Sequence, residues 1–200
     1  MNYYTIKKIG SGEYKNRGSK FFSYLHPLDS INEYKHLVSI YRKDFPEACH
    51  VCSAYRLFVG SRVEEYGSDD GEPRGTAGLP LLNQLKRNQL INVAVYVVRI
   101  FGGSLLGVPG LIESYSTSAL FAIDSIKKEE YISKKSLLIN ISYDYGRILK
   151  SVIKEYNGDI VQQSFLNSIE MQVKINSDTV DLFIEEVSNL SSNKAEVKIL

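Results

Sequence analysis

Within SDDGEPRGTAGLP, residues 68–80, three carboxylates (Asp69, Asp70, Glu72) and Arg74 stand among three glycines and two prolines. Carboxylates at this density can ligate a hard cation through oxygen, or they can accept backbone amide hydrogens and pair with arginine to hold a turn. Neither a calcium-loop nor a P-loop pattern is present, so the structural use is favoured, with Asp70 and Glu72 bonded to loop amides and paired with Arg74 or Arg99. Asp70-Gly71 and Pro73 form turns, Pro73 pushes Glu72 extended, and Gly75 and Gly78 permit close backbone approach. Ser68, Asp69, Asp70, Gly71, Glu72, Pro73, Gly75, Thr76, Ala77 and Gly78 therefore make a shaped loop, with Thr76 placed to cap the helix that follows.

A second candidate is VRIFGGSLLGVPGL, where Arg99 ends an apolar strand and Gly102, Gly103, Gly107 and Gly110 precede a helix. Exposed backbone amides, a helix N-terminus and a guanidinium fork can hold phosphate. The spacing fits neither dinucleotide nor P-loop fingerprints, and a glycine crossover in which backbone packs on backbone explains it equally well. Lys20 and Arg74 add nearby cations, with Lys86 and Arg87 contributing. Tyr115 and Phe101 could stack on bases if exposed, although Tyr115 sits at helical spacing with Leu111 and Ile112, as core residues do.

His50 alternates with Cys52 and Ala54 along one strand face, which suits a hydrogen-bonded core or rim histidine. Cys49 and Cys52 form C-x-x-C, but a strand points them to opposite faces, and His26 and His36 show no ligand spacing. No metal, no cofactor and no catalytic set is expected.

The elements that must position these residues are legible as periodicity. SKFFSYLH is a strand, and LDSINEYKHLVSIYRKDFP is an amphipathic helix with Ser30 and Glu33 as a capping box and Pro46 as its stop. A strand runs from His50 to Val59, the loop follows it, a short helix covers LPLLNQLKRN, and INVAVYVVRIF is a strand buried on both faces. LIESYSTSALFAIDSI is a further helix. Charge at KKEEY, residues 127–131, marks a boundary between domains 1–128 and 129–200. Beyond it, KSLLINIS, YDYGRILKSVIKEY, IVQQSF, SIEMQVKI, a helix from Ser177 and EVKIL give a ferredoxin-like βαββαβ order. The second of these, a helix, is expected to bury Ile148, Leu149, Val152, Ile153 and Tyr156. The helix from Ser177 is expected to bury Val180, Phe183, Ile184, Val187 and Leu190.

With 44% hydrophobic and 24% charged residues, the 200-residue chain has the balance of a globular protein with a core. The start MNYYTIKKIG lacks an apolar signal segment, and the longest apolar run is far shorter than the roughly 20 residues of a membrane span. A cytoplasmic location without membrane association is expected. The net charge of +1 means that any polyanion site must be a local patch.

SDDGEPRGTAGLPLLNQL followed by VVRIFGGSLLGVPGLIESY resembles the two signature blocks of the YigZ/IMPACT family, which is linked to translation. GSKF at 18–21 resembles the family's early Ser-Lys/Arg-Phe element, and ACHVCSA at 48–54 its Ala-x-His-x-Cys-x-Ala strand, with Cys49 in the variable slot. The resemblance implies an α+β fold in two parts. The N-terminal domain would be the left-handed βαβ type shared by domain 2 of a small-subunit ribosomal protein and domain four of elongation factor G. The C-terminal domain would be ferredoxin-like, as in that factor's domain five. Eukaryotic members act in the amino-acid-starvation pathway through an additional N-terminal domain, so that role is not expected to carry over whole. Two departures stand out: Val108-Pro109-Gly110 where members have a further glycine pair, and Glu113-Ser114-Tyr115 where they have a basic residue and alanine before the tyrosine. Pro109 lacks an amide proton and Glu113 repels phosphate, so an anion site here should be weaker.

The leading expectation is a non-enzymatic regulator of translation or stress response that binds RNA, the ribosome or a translation-related protein. Lys20, Arg74, Arg99 and the glycine turn would carry that binding. An enzyme or sensor for a small phosphorylated or nucleotide ligand is the alternative, and the third is a protein-interaction module whose second domain presents its sheet or an edge strand, which exposed apolar side chains along SIEMQVKI would favour. Oligomeric state is left open.

Overall fold

A computed structural model describes residues 3–60, 62–165 and 167–200. Their contacts divide the chain into two units, Met1–Tyr131 and Ile132–Leu200.

The first unit runs β1 (Tyr4–Thr5), β2 (Gly10–Asn16), β3 (Ser19–Pro27), α1 (Ile31–Asp44), β4 (His50–Val59), β5 (Arg62–Ser68), α2 (Gly78–Arg87), β6 (Val93–Ile100), α3 (Gly107–Asp124) and β7 (Glu129–Glu130). Its main sheet has the order β2-β3-β6-β4-β5, with every neighbouring pair antiparallel. Strands β3 and β4 are therefore parallel to each other on either side of β6, and α1 is the crossover between them. The crossover begins where the capping box lies. Ser30 Oγ accepts from the Glu33 amide at 3.2 Å, and Glu33 Oε2 accepts in return from Asp29 N at 2.9 Å.

Alternation distributes the sheet between two cores. Phe21, Cys52, Ala54, Val95 and Val97 join Leu81, Leu85, Leu111 and Tyr115 of α2 and α3. Tyr34 and Tyr41 of α1 pack on Val51, Tyr55, Tyr96 and Val98 of the other face. The unbroken apolar run of β6 follows from serving both. Each fully buried leucine, such as Leu81 or Leu85, contributes about 1.5–3 kcal/mol.

Three features depart from the sequence expectation. Strands β2 and β5 are the outermost strands of the sheet, and their side chains are mostly exposed or half-buried, so they lack the apolar alternation that announces a strand. Helix α3 begins at Gly107, not at Leu111, which places Gly107, Val108, Pro109 and Gly110 in its first turn, where proline is tolerated. Residues 129–131 belong with the first unit because β7 pairs with β1 (Tyr4 opposite Glu130) and Tyr131 N donates to Tyr3 O.

The second unit runs β8 (Lys134–Ile141), α4 (Gly146–Glu155), β9 (Asp159–Phe165), β10 (Ile169–Asn176), α5 (Val180–Leu190) and β11 (Glu196–Ile199). The sheet order β11-β8-β10-β9, antiparallel throughout, is the ferredoxin-like arrangement. Ile169, Met171, Val173 and Ile175 of β10 all point into the core, so SIEMQVKI presents no apolar row to a partner. In α4, Leu149, Val152 and Ile153 are buried, whereas Ile148, expected beside them, is 48% exposed because its helical position rotates it off that stripe. Val180, Phe183 and Val187 of α5 are fully buried, with Ile184 and Leu190 packed partly against them. Among the described residues no helix is long and apolar enough to cross a membrane.

Candidate functional site

The loop of residues 68–78 connects β5 to α2, and its three acids diverge to three different tasks. Asp69 accepts from the amides of Gly75 at 2.8 Å, Ala77 at 3.0 Å and Gly78 at 2.8 Å. It thereby anchors the start of α2, where orphan amides and the helix dipole favour an anion. Thr76, expected in that role, instead donates its hydroxyl to Pro73 O at 2.7 Å. Gly78 is needed for close approach, since a Cβ there would lie 2.5 Å from Ser68 N.

Partial burial pushes the Asp69 carboxyl up, but the amides of Gly75, Gly78 and Ala77 and the charge of Arg74 more than reverse this, leaving it below its ordinary value of 3.8. A lowered folded value means that stability from Asp69 is present above 3.8 and is lost as pH falls through the folded value. Asp69→Asn is expected to cost about 1–3 kcal/mol at neutral pH. It should also flatten the acid limb below pH 4, both effects measured by urea unfolding across a pH series.

Asp70 reaches the other face of the sheet. With φ at 46°, it accepts from Val51 N at 2.6 Å through Oδ2 and forms an ion pair with Arg42 of α1, a partner no local motif signalled. Its backbone carbonyl lies 2.8 Å from His50 Nδ1. A carbonyl only accepts, so Nδ1 carries a proton and, in the neutral ring, Nε2 is left as an acceptor.

Glu72 turns inward. Its Oε1 accepts from Arg99 Nη1 at 2.6 Å and from the Tyr115 hydroxyl at 2.8 Å, and lies 3.9 Å from His50 Nε2. Cys52 Sγ is 3.2 Å from the Tyr115 hydroxyl and 3.0 Å from Asp69 O. Burial, with Cys52 and Glu72 nearby, pushes the Tyr115 phenol far up, so it remains a donor. Burial pushes the Cys52 thiol up as well, which removes it as a thiolate nucleophile near neutral pH. Cys49 is exposed and Cys52 buried, both as free thiols.

The sequence-proposed residues therefore assemble in part. Cys52, Glu72, Arg99 and Tyr115 form one buried hydrogen-bonded cluster under the loop, with half-buried His50 beside it, 3.9 Å from Glu72 Oε1. Arg99 is only 6% exposed, and its guanidinium carbon stands 5.6 Å from the ring centres of Phe21 and Phe101. It is thus committed to Glu72 rather than presented to solvent. Among the described residues no group of His, Cys, Asp and Glu converges as a metal site.

The glycine turn has a backbone role at Gly102. Its amide donates to Ser19 Oγ at 3.1 Å, and its Cα packs against the Gly18 and Ser19 backbone so closely that a Cβ would overlap it. Gly103 and Gly107 have positive φ, and Gly110 lies in α3. Against this turn sits the β2–β3 hairpin, whose central residues Arg17 and Gly18 both have positive φ, as a type I′ turn requires. Lys15 and Lys20 lie directly opposite across the hairpin, and Asn16 ties it to α3 through Ser114 Oγ at 3.1 Å. Lys15, Arg17, Lys20 and Arg74 are exposed. Lys86 and Arg87 sit at the far end of α2, about 15 Å along its axis from the loop, with Lys86 paired to Glu65. Sequence reasoning missed Lys15 and Arg17; the signal available was the turn-forming Asn-Arg-Gly-Ser.

Comparisons with known proteins agree with this architecture. The Impact N-terminal domain family matches residues 17–123. A Haemophilus influenzae IMPACT family member is 31% identical, covering 91% of this chain and 89% of that protein. The Bacillus subtilis IMPACT family member YvyE is 26% identical over 98% of this chain and 90% of its own length. A crystal structure of a hypothetical protein superposes with a TM-score of 0.74 at 23% identity, covering 100% of this chain and 97% of that one. With a domain match spanning the loop, the buried cluster and the glycine turn, and near full-length relatives beside it, the chain belongs to the IMPACT family.

Proposed function

We propose that this chain is a non-catalytic, translation-linked regulator that engages RNA, free or in the ribosome, through the exposed basic hairpin of its first unit. The observation that carries the reading is the placement of Lys15 directly opposite Lys20 with Arg17 at the turn between them. Like charges directly opposite on paired strands are destabilising, and an arginine at positive φ is strained. The charge repulsion is offset when a phosphate backbone lies against the hairpin. Arg17 and Lys20 take part in none of the ion pairs formed among the described residues, whereas Lys15 pairs with Glu13. The adjoining Gly102-Gly103 turn lets a backbone approach closely, and Arg74 extends the positive rim. The resemblance of the first domain to a translation-factor domain supports the same class of partner, as analogy of fold. Arg99 is not a phosphate contact in this reading, because Glu72 already neutralises it.

The test is cosedimentation with ribosomes and with total RNA across a salt series, comparing the native chain with Arg17→Glu/Lys20→Glu. Both positions are exposed, so the variant is expected to fold, which thermal unfolding checks. Binding that falls steeply with salt, and that weakens at least tenfold in the variant with a salt slope smaller by about 1 per lost contact, is the expected result. Unchanged binding in the folded variant would overturn the reading.

A further inference from the structure

Beside the buried cluster lies a cavity of about 500 Å³, within the span of roughly 300–1,000 Å³ usual for small-molecule pockets. Its floor is polar, made by His50, Glu72 and Arg99, and its walls are apolar, made by Phe101, Leu105 and Val108 among others. Those wall residues are 44%, 83% and 52% exposed, an apolar rim that the fold itself does not bury.

The floor has unused hydrogen-bonding capacity of a defined pattern. Glu72, 8% exposed, uses Oε1 for Arg99 and Tyr115, while Oε2 takes part in no hydrogen bond among the described residues. In the neutral ring His50 Nε2 is an acceptor, since Nδ1 donates to Asp70 O, and it lies 3.9 Å from Glu72 Oε1. Arg99 spends only Nη1 on Glu72 and leaves Nη2 outside any hydrogen bond among the described residues, whereas its Nε is too buried to meet a ligand. Two acceptors thus adjoin one donor group. The charges of Arg99 and Glu72 cancel, and a phosphate would meet the Glu72 carboxylate, so the complementary ligand is neutral. It presents two N–H donors beside one carbonyl, and an apolar face suited to the Phe101, Leu105 and Val108 side chains of the rim.

We infer that this cavity takes the Watson–Crick edge of an unpaired guanine, N1–H and the N2 amine toward Glu72 and His50 and O6 toward Arg99. The other bases offer a different order of donors and acceptors on that edge. Reading splayed bases by edge hydrogen bonds and stacking is how single-stranded RNA is recognised. The inference deepens the RNA reading, supplying base choice to a hairpin that by itself would contact only phosphates.

The experiment is calorimetric titration of the native chain with guanosine, inosine, adenosine, uridine, cytidine and 5′-GMP. A parallel arm uses single-stranded RNA oligonucleotides of equal length with and without guanine. Saturable guanosine binding, weakened about tenfold or more for inosine, which lacks the N2 amine, and absent for adenosine, is the expected result. GMP should bind as guanosine does, and guanine-containing oligonucleotides more tightly than guanine-free ones. Leu105→Asp, at an 83% exposed position that the fold does not need, should remove guanosine binding without unfolding the chain. Equal binding of adenosine, a requirement for the phosphate of GMP, full binding by Leu105→Asp, or no saturable guanosine binding would each overturn the inference. Guanosine titration needs no hairpin contact and RNA cosedimentation needs no pocket, so failure of one arm identifies which of the two ideas has fallen.

Discussion

Replacing Glu72 by alanine is expected to destabilise the first unit by about 3–5 kcal/mol, the range for stripping one partner from a buried ion pair. The Arg99 side chain is 7% exposed and the Glu72 side chain 3%, so water entering from the adjoining cavity replaces the lost carboxylate only in part. The Tyr115 hydroxyl loses its acceptor in the same step, and Arg99 Nε already lacks one. Typical domains are stable by only about 5–15 kcal/mol, so the variant should lose much of its margin and shift its urea midpoint strongly. A second variant separates charge burial from loop damage. Glu72→Leu/Arg99→Met removes both charges, and it should recover most of the stability lost in Glu72→Ala, since an apolar replacement of a buried pair is often neutral or stabilising. A loss below about 1 kcal/mol in Glu72→Ala would show that the pair is solvated, at odds with the burial of both side chains.

Gly102→Ala should be the most damaging single glycine substitution in the turn, with a loss of at least about 1–3 kcal/mol. A Cβ at this position would overlap the Gly18 carbonyl carbon and the Ser19 nitrogen, which are backbone atoms and cannot rotate away. Relief requires the β2–β3 hairpin to move, breaking the Gly102 N to Ser19 Oγ bond and displacing Arg17 and Lys20 together. RNA association should therefore fall with stability. Gly103→Ala is the internal comparison. Its φ of 88° strains any L side chain, yet a Cβ there meets nothing within 4 Å, so it should cost less and leave the hairpin in place. Equal losses at the two positions, read by thermal unfolding and RNA binding, would refute the backbone-contact explanation.

Much of the frame was legible because periodicity is a local property. Strand β4 was bounded at His50 and Val59, the Ser30 cap of α1 is formed, and alternation in β10 identified Ile169, Met171, Val173 and Ile175 as core. The elements that escaped, β2 and β5, are edge strands whose exposed side chains carry no apolar rhythm; their existence depends on hydrogen bonds to β3 and β4. The cap of α2 escaped for a related reason, since its acceptor is Asp69, eight and nine residues upstream of the amides it holds.

What the sequence determined by itself was the inventory: a loop dense in carboxylates, a turn dense in glycine, a strand bearing His50 and Cys52, and the α/β alternation that orders them. Tertiary structure decided which charge meets which. Arg99 lies 27 residues from Glu72 in the chain, and Arg42 lies 28 from Asp70, so only the sheet, which sets β4 beside β6 and α1 across β4, brings each cation to its acid. That pairing makes Arg99 the counter-ion of a buried carboxylate and leaves Arg17 and Lys20 of the hairpin as exposed cations in no ion pair among the described residues. The reason is energetic: a buried charge must be neutralised by whatever the fold places within reach, and reach is a property of topology, not of spacing along the chain.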